Sequence, residues 1–323
     1  MYIITGGAGF IGSALLWRLN AMGHDEIVVV DNLNRSEKWR NLAKRRSVDY
    51  LHRDVFYDLF QRNALPWKVT AVAHLGACSS TTENNADFLM ENNFRYSRDL
   101  CRYALDKGAR FINASSAATY GDGSQGFDDD PSLISRLLPL NMYGYSKHLF
   151  DLWLLRENLA DALVSLKFFN IYGPNEYHKG YMQSVAAKAY RQIITGGKLD
   201  LFKSTAPNLN DGEQKRDFVY VKDCVSLMIW LLEHPDVNGV FNVGSGKARS
   251  FNDLGRAVFA ALERQCRIEY VDMPASLRGK YQNFTQAEMG WLKRAQCPVQ
   301  FSSLEEGVGD YVRNYLEKED PYL

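Results

Sequence analysis

The sequence predicts an α/β protein: a doubly wound parallel sheet carrying a smaller α/β lobe. Three observations support this. Short β-branched runs alternate with longer stretches of helical spacing through the first half of the chain. A glycine-rich turn joins the first such run to the first helical stretch. After about Asn170 the pattern loosens into loops richer in Gly, Pro and Asn. Strands separated by helices require crossovers, and right-handed crossovers build a parallel sheet with its ligand crevice at the carboxyl ends.

Taken in order, strands are expected at residues 2–5, 27–30, 48–51, 71–75, 110–114 and 163–169. Helical spacing fills segments such as 12–20 and 92–107 between them. Residues 198–214 read as a polar connection with turn residues. Further strands are expected at 218–221 and 240–243, where the chain is expected to return to the main sheet, around residues 215–245. A helix at 251–262, a strand at 268–271 and a closing helix around 304–316 complete the lobe.

Apolar residues make up 46% of the 323 and charged residues 24%, which specifies a packed core rather than disorder. Lys plus Arg equals Asp plus Glu at 38 each, so no global field draws in nucleic acid or an anionic membrane. The five cysteines (Cys78, Cys101, Cys224, Cys266 and Cys297) are odd in number and form no CxxC pair. That argues against a disulfide framework and for a reducing compartment. No apolar run approaches the roughly 20 residues that span a bilayer. The N-terminus enters a strand with no basic-plus-apolar leader, so a cytoplasmic address is expected. The six histidines are dispersed without HExxH spacing, and no metal site is expected.

The turn reads Thr5-Gly6-Gly7-Ala8-Gly9-Phe10-Ile11-Gly12. Glycines in this spacing let the backbone turn sharply and approach a pyrophosphate, and the helix that follows offers free N–H groups to it. Asp31 ends the next strand, where a ribose-binding acid belongs in a Rossmann dinucleotide site. A carboxylate there accepts from a 2′-hydroxyl and favours NAD. Arg35, Lys38, Arg40, Lys44 and Arg45 follow closely, however, and cations there suit the 2′-phosphate of NADP. Both dinucleotides stay open on these residues alone. Residues 1–170 are accordingly expected to form the dinucleotide-binding Rossmann domain, with 171–323 mainly a substrate-binding lobe.

Ser115 and Ser116 end the strand expected at 110–114 and lead to Tyr120-Gly121; Tyr143-Gly144-Tyr145-Ser146-Lys147 follows on a helix. Residues four apart share a helix face, so Lys147 can favour the Tyr143 phenolate. A tyrosine so tuned accepts the proton of an alcohol under oxidation, and a serine hydroxyl can hold the same oxygen. Tyr145, the rival phenol, lacks a lysine four residues on.

These motifs resemble the extended short-chain dehydrogenase/reductase family. The glycine loop, His74-Leu75-Gly76-Ala77, Ser116, Tyr143/Lys147, Tyr172-Gly173-Pro174 and Arg216-Asp217-Phe218-Val219-Tyr220-Val221 match it in order. The run His74-Leu75-Gly76-Ala77-Cys78 departs from the family's usual strand ending. The resemblance implies a nucleotide-sugar substrate, a tightly held NAD(P), and Ser116, Tyr143 and Lys147 as the catalytic trio.

Three stretches resemble a narrower branch, the 6-epimerases that act on an ADP-heptose: residues 76–83, 116–121 and 177–182. This likeness implies inversion at C6″ of ADP-D-glycero-D-manno-heptose for lipopolysaccharide core synthesis, with NADP as the cofactor. It implies a homo-oligomer, with a pentamer as one form. It also makes Lys179 a second acid/base group beside Tyr143. Inverting an unactivated C–OH centre by hydride removal and return needs proton handling in two orientations. The cofactor set that it implies is Gly6, Gly9, Phe10, Ile11, Gly12, Asp31, Asn32, Lys38, Arg53, Leu75, Gly76, Ala77, Cys78, Ser79, Asn92, Tyr143, Lys147, Ile171 and Lys179. The substrate set is Ser116, Asn170, Tyr181, Lys188, Phe202, Lys203, Ser204, Thr205, Arg216 and Tyr281. Arg216 offers a guanidinium fork suited to a diphosphate. Phe202–Thr205 and Lys188 depart from that branch's pattern. The rival readings are a UDP-hexose 4-epimerase, a 4,6-dehydratase and a dinucleotide-sensing module without turnover. Ala117-Ala118-Thr119 holds no carboxylate for a dehydratase's elimination, and a sensor could dispense with Tyr143 and Lys147.

Overall fold

A computed structural model describes residues 1–274 and 282–323. Six strands open the chain: β1 (Tyr2–Thr5), β2 (Ile27–Asp31), β3 (Asp49–His52), β4 (Ala71–His74), β5 (Arg110–Ser116) and β6 (Val164–Phe168). Six more follow: β7 (Asn170–Tyr172), β8 (Leu199–Phe202), β9 (Lys215–Tyr220), β10 (Gly239–Val243), β11 (Ala248–Ser250) and β12 (Ile268–Val271). Seven of them form one parallel sheet in the order β3-β2-β1-β4-β5-β6-β10. The order reverses between β1 and β4, which opens a crevice at their carboxyl ends.

All residues of β2 and β6 are buried, as a sheet covered on both faces requires. Alternate residues serve opposite faces. Ile4, Val29, Ala73 and Ile112 pack with helices Phe10–Ala21 and Val221–Glu233. Ile3, Val28, Val72 and Phe111 pack with helices Arg53–Gln61, Tyr96–Asp106 and Met142–Arg156.

The smaller elements lie beyond β6. β7, β9 and β11 make a three-stranded sheet, and β8 pairs with β12. Of the two strands expected to return to the main sheet, only β10 does so, pairing Val164 with Gly239 through Phe168 with Val243. β9 pairs instead with β7 and β11, and Val221 opens a helix rather than ending a strand. The polar connection expected at 198–214 contains β8. That strand has only four residues, with Leu199 and Leu201 buried, too short for its alternation to stand out. The run expected at 163–169 is divided: β6 stops at Phe168 and β7 begins at Asn170.

Two fully buried charges tie the helix Met142–Arg156 to the sheet. Lys167 donates to Asp151 at 2.6 Å and to Thr119 Oγ1 at 2.8 Å. Asp151 also accepts from Ser115 Oγ at 2.9 Å and Ser165 Oγ at 3.3 Å. Removing one partner would leave an uncompensated buried charge, a loss of about 3–5 kcal/mol.

Asp129, also fully buried, accepts from the Asn242 N–H at 2.6 Å. Burial pushes its carboxyl up to about 7. The native state therefore keeps this proton between about 4 and about 7, where the unfolded chain has released it. Stability from the neutral carboxyl is complete below the unfolded value and is lost as pH rises through the folded one. Asp129→Asn keeps an acceptor for Asn242 and removes the titration. Urea unfolding at about pH 5 and about pH 7 should show wild-type stability falling by on the order of 2 kcal/mol more than the variant's. Equal falls in the two proteins would refute the assignment.

Candidate active site

The glycine loop is built by close backbone packing. Gly6 has φ +66°, and a Cβ there would lie 2.7 Å from the Gly76 Cα. A Cβ on Gly12 would collide with the Gly6 carbonyl. β1 and β4 therefore end almost in contact, and the helix Phe10–Ala21 starts directly over them. Its N-cap, Gly9, has no side chain to occupy the first-turn N–H groups, which are left for an anion.

Two adjoining cavities, of about 470 and about 350 Å³, meet at Gly6, Asp31, Lys38, Gly76 and Ala77. The larger takes in Gly9, Phe10, Ile11, Gly12, Leu75, Ser79, Tyr143, Lys147, Ile171 and Lys179 from the expected cofactor set. The smaller takes in Asn32, Arg53, Cys78 and Asn92. Every expected cofactor residue thus lines one or the other. A backbone cradle that a Cβ would fill, an uncapped helix start and paired cavities fit a dinucleotide.

Asp31 does not present a bare carboxylate. One oxygen accepts from the Ala8 N–H at 2.9 Å. The other accepts from Asn32 N–H at 2.7 Å and from the Lys38 ammonium at 2.9 Å. Arg53 donates to Asn92 Oδ1 across the second cavity.

The larger cavity also holds the catalytic candidates. Ser116 ends β5, and Tyr143 lies near the start of helix Met142–Arg156, which Asn141 caps by accepting from Gly144 N–H at 2.8 Å. Burial pushes the Tyr143 phenol up, while its hydrogen bond with Ser116 pulls it down. The lowering that Lys147 was expected to supply is not found. Lys147 Nζ donates to the Ala114 carbonyl at 2.7 Å, and burial brings its own pKa down to about 8, opposed by Asp151. Desolvation outweighs pair attraction here.

Lys179 enters from the 3₁₀ segment Tyr177–Met182, with Nζ 5.3 Å from the centre of the Phe10 ring. Burial lowers its pKa, and Glu176 opposes the shift. Glu176 is itself fixed by Gly173 N–H at 3.2 Å and by Ser184 Oγ at 2.7 Å. His178, read from sequence as a loop residue or pocket wall, lines the cavity beside Lys179.

Of the expected substrate set, Ser116 and Asn170 line the larger cavity. Tyr181 is 71% exposed and reaches Thr82 Oγ1 at 3.4 Å, bringing two of the branch-like stretches together outside the cavity wall. Lys188 lies on helix Val185–Gly196, and Phe202 ends β8. Lys203 pairs with Asp272 at 2.9 Å, Ser204 N–H donates to Asp211, and Thr205 is exposed. Arg216 sits on β9 with its guanidinium 5.6 Å from the Phe251 ring centre, and Phe251 does line the cavity. Tyr281 falls outside the described residues.

Sequence reasoning missed the supports of this site. Asn93, fully buried, accepts from the Cys78 N–H and donates to the Cys78 carbonyl, both at 2.9 Å, and donates to Ser146 Oγ at 3.0 Å. A π-helical turn, Met90–Arg95, carries Asn92 and Asn93 side by side. His74 bridges Thr5 Oγ1 at 2.6 Å and Ser97 Oγ at 2.7 Å, and burial holds it neutral with a pKa of about 3. The histidine at the end of β4 was the signal for this bridge, but its partners lie far away in sequence. Among the described residues no cluster of ligating side chains could hold a metal ion, and no helix is long and apolar enough to cross a membrane.

Comparison with known proteins gives concordant results. Residues 2–244 match the NAD dependent epimerase/dehydratase family. An ADP-L-glycero-D-manno-heptose-6-epimerase of Nitratidesulfovibrio vulgaris strain Hildenborough is 65% identical over the full length of both chains. One of Fusobacterium nucleatum is 46% identical over 332 aligned positions, again covering both chains fully. The crystal structure of the Helicobacter pylori enzyme of that name superposes with a TM-score of 0.80 at 27% identity, covering 97% of this chain and 95% of the other. With the glycine cradle, the Ser116–Tyr143–Lys147 group and the parallel sheet in place, this chain belongs to the NAD dependent epimerase/dehydratase family.

Proposed function

We propose that this protein inverts C6″ of ADP-D-glycero-D-manno-heptose to give the L-glycero epimer, with NADP as a retained hydride carrier. The observation that carries the reading is one cavity lined both by Ser116, Tyr143 and Lys147 and by Lys179 from a separate loop. The choice of sugar rests on the relatives of 65% and 46% identity, both ADP-L-glycero-D-manno-heptose-6-epimerases by name.

The bound dinucleotide supplies reversible hydride acceptance. Ser116 holds the reacting oxygen by hydrogen bonding. Tyr143 takes the hydroxyl proton while C6″ is oxidised to the ketone. Lys179, its pKa lowered by burial, would manage the proton when the oxygen is presented in the opposite orientation. Nothing is consumed overall: one C–H and one O–H bond break and one of each re-forms. Asp31 is the sole carboxylate among the described residues lining the cavity, and Ala8, Asn32 and Lys38 already occupy it. That leaves no free acid for a dehydratase's elimination and favours an epimerase.

NADP is favoured over NAD by the Lys38 ammonium matching Asp31's charge, with Arg53 lining the same smaller cavity. In this reading residues 1–170 hold the dinucleotide and 171–323 mainly hold the sugar nucleotide. The enzyme works in the cytoplasm as a homo-oligomer, a state that analytical ultracentrifugation measures.

Tyr143→Phe should lower turnover of ADP-D-glycero-D-manno-heptose by about 10²–10⁴-fold. Adding Lys179→Ala should abolish it while the dinucleotide stays bound. UDP-galactose should not be turned over by the wild type. Near-normal turnover in the double variant would sink the mechanism. Denaturing the purified protein and weighing the released dinucleotide should give NADP. Lys38→Ala with Arg53→Ala should then shift preference toward NAD by at least about tenfold, as two lost charge-assisted contacts imply. Release of NAD from the wild type would overturn that assignment.

A further inference from the structure

Asn175 is fully buried and has φ +75°, a left-handed conformation that glycine adopts far more readily. Its polar groups reach three separate regions of the chain. The side-chain amide donates to Ser13 Oγ at 2.9 Å, on the helix that starts at the glycine loop. The side-chain oxygen accepts from the Leu323 N–H at 3.0 Å. The backbone carbonyl accepts from Asn41 Nδ2 at 3.1 Å, and the same amide donates to the Ala8 carbonyl at 2.9 Å. Asn41 Nδ2 also lies 3.3 Å from His178 Nδ1, next to Lys179.

Residues 320–323 complete this junction. The Tyr177 hydroxyl donates to the Pro321 carbonyl at 2.8 Å, and the Tyr322 ring meets the Tyr177 ring edge-on at 5.2 Å. Lys44 donates to the Tyr322 carbonyl at 2.9 Å and pairs with Asp320 at 2.6 Å; Arg45 donates to the Leu323 carbonyl at 2.9 Å. The segment thus bridges the basic stretch after Lys38 to the loop that carries Lys179.

We propose that Asn175 is a positioning residue and residues 320–323 a clasp, which together hold the Lys179 loop closed over the glycine loop and its dinucleotide. Only the role given to Lys179 rests on the proposed reaction; dinucleotide retention does not. The sequence left residues 320–323 without a role. Their polar contacts fall on loops flanking the dinucleotide cavity, where a hold on the chain acts on ligand release.

The test uses the holoenzyme with Asn175→Gly, a chain shortened by residues 320–323, and the two combined. Glycine accepts the left-handed backbone, so Asn175→Gly removes side-chain contacts without adding strain. Dinucleotide release after dilution should quicken by about tenfold or more in each variant, the loss of a buried hydrogen bond. kcat should fall more than KM changes, and the dinucleotide-free protein should melt only a few degrees lower. The combined variant should match the worse single one, because both act through one junction. Should Asn175→Gly not fold, the shortened chain decides. Release and kcat within about twofold of wild type, or effects that multiply in the combined variant, would overturn the proposal. A wild type that retains dinucleotide but turns over no ADP-heptose would defeat the reaction instead, and release rates would still decide the clasp.

Discussion

The near-contact of Gly6 and Gly76 is the constraint on which the rest of the site depends. Strand order reverses between β1 and β4, so their crossovers leave in opposite directions and a gap opens above. The gap is useful only if nothing from the protein fills it. Any side chain at Gly6 would strike the Gly76 backbone, and the Gly6 N–H is held by the Val30 carbonyl at 2.7 Å. Thr5 completes the junction by accepting from the Gly76 N–H at 3.2 Å and meeting His74 on its other side. The cavity floor is therefore backbone, fixed by three strands at once, and backbone N–H groups can face a phosphate there.

The reacting edge is held by a different force. Ser116, Tyr143 and Lys147 lie on two elements, β5 and the helix beside it, that must keep register to within a fraction of an ångström. Apolar packing alone would let them slide. The buried Asp151–Lys167 pair, with Ser115 and Thr119 as further partners, makes a sliding motion costly because every displacement exposes a charge to an apolar interior. The same desolvation lowers the pKa of Lys147 toward neutrality and raises the phenol of Tyr143. Both shifts favour the uncharged forms, which suits the proton transfer proposed here in both directions.

Legibility in the sequence followed the range of the interactions. The first six strands and the glycine loop were readable because each is set by a local run or turn. β8 was hidden by its shortness, and the placement of β9 depended on partners over 40 residues away, β7 before it and the bend that separates β7 from β6. Cavity-lining residues on motifs, such as Tyr143 and Gly12, were readable for the same local reason. Asn93, His74 with Ser97, and the Asn41–Asn175 link were not, since each is defined by what it meets after folding. The field at Tyr143 was misjudged because spacing on a helix gives proximity, whereas the pKa is set by loss of water.

What separates an epimerase from a dehydrogenase on such a frame is whether the carrier leaves between turnovers. Hydride taken from one face must be given back to the same molecule, so the dinucleotide must outlast the sugar's reorientation. The larger cavity is roofed by residues of the second half: Phe218 from β9, Phe251 and Leu254 from the helix after β11, and the His178–Lys179 loop. The floor comes from the glycine loop and the roof from chain more than 150 residues later. A ligand between them is touched on two sides by chain segments far apart in sequence. Lys179 lines that wall, so the group proposed for the second proton would also belong to the structure proposed to retain the carrier. On the proposed mechanism, retention and the return of hydride are one requirement, which one loop would meet.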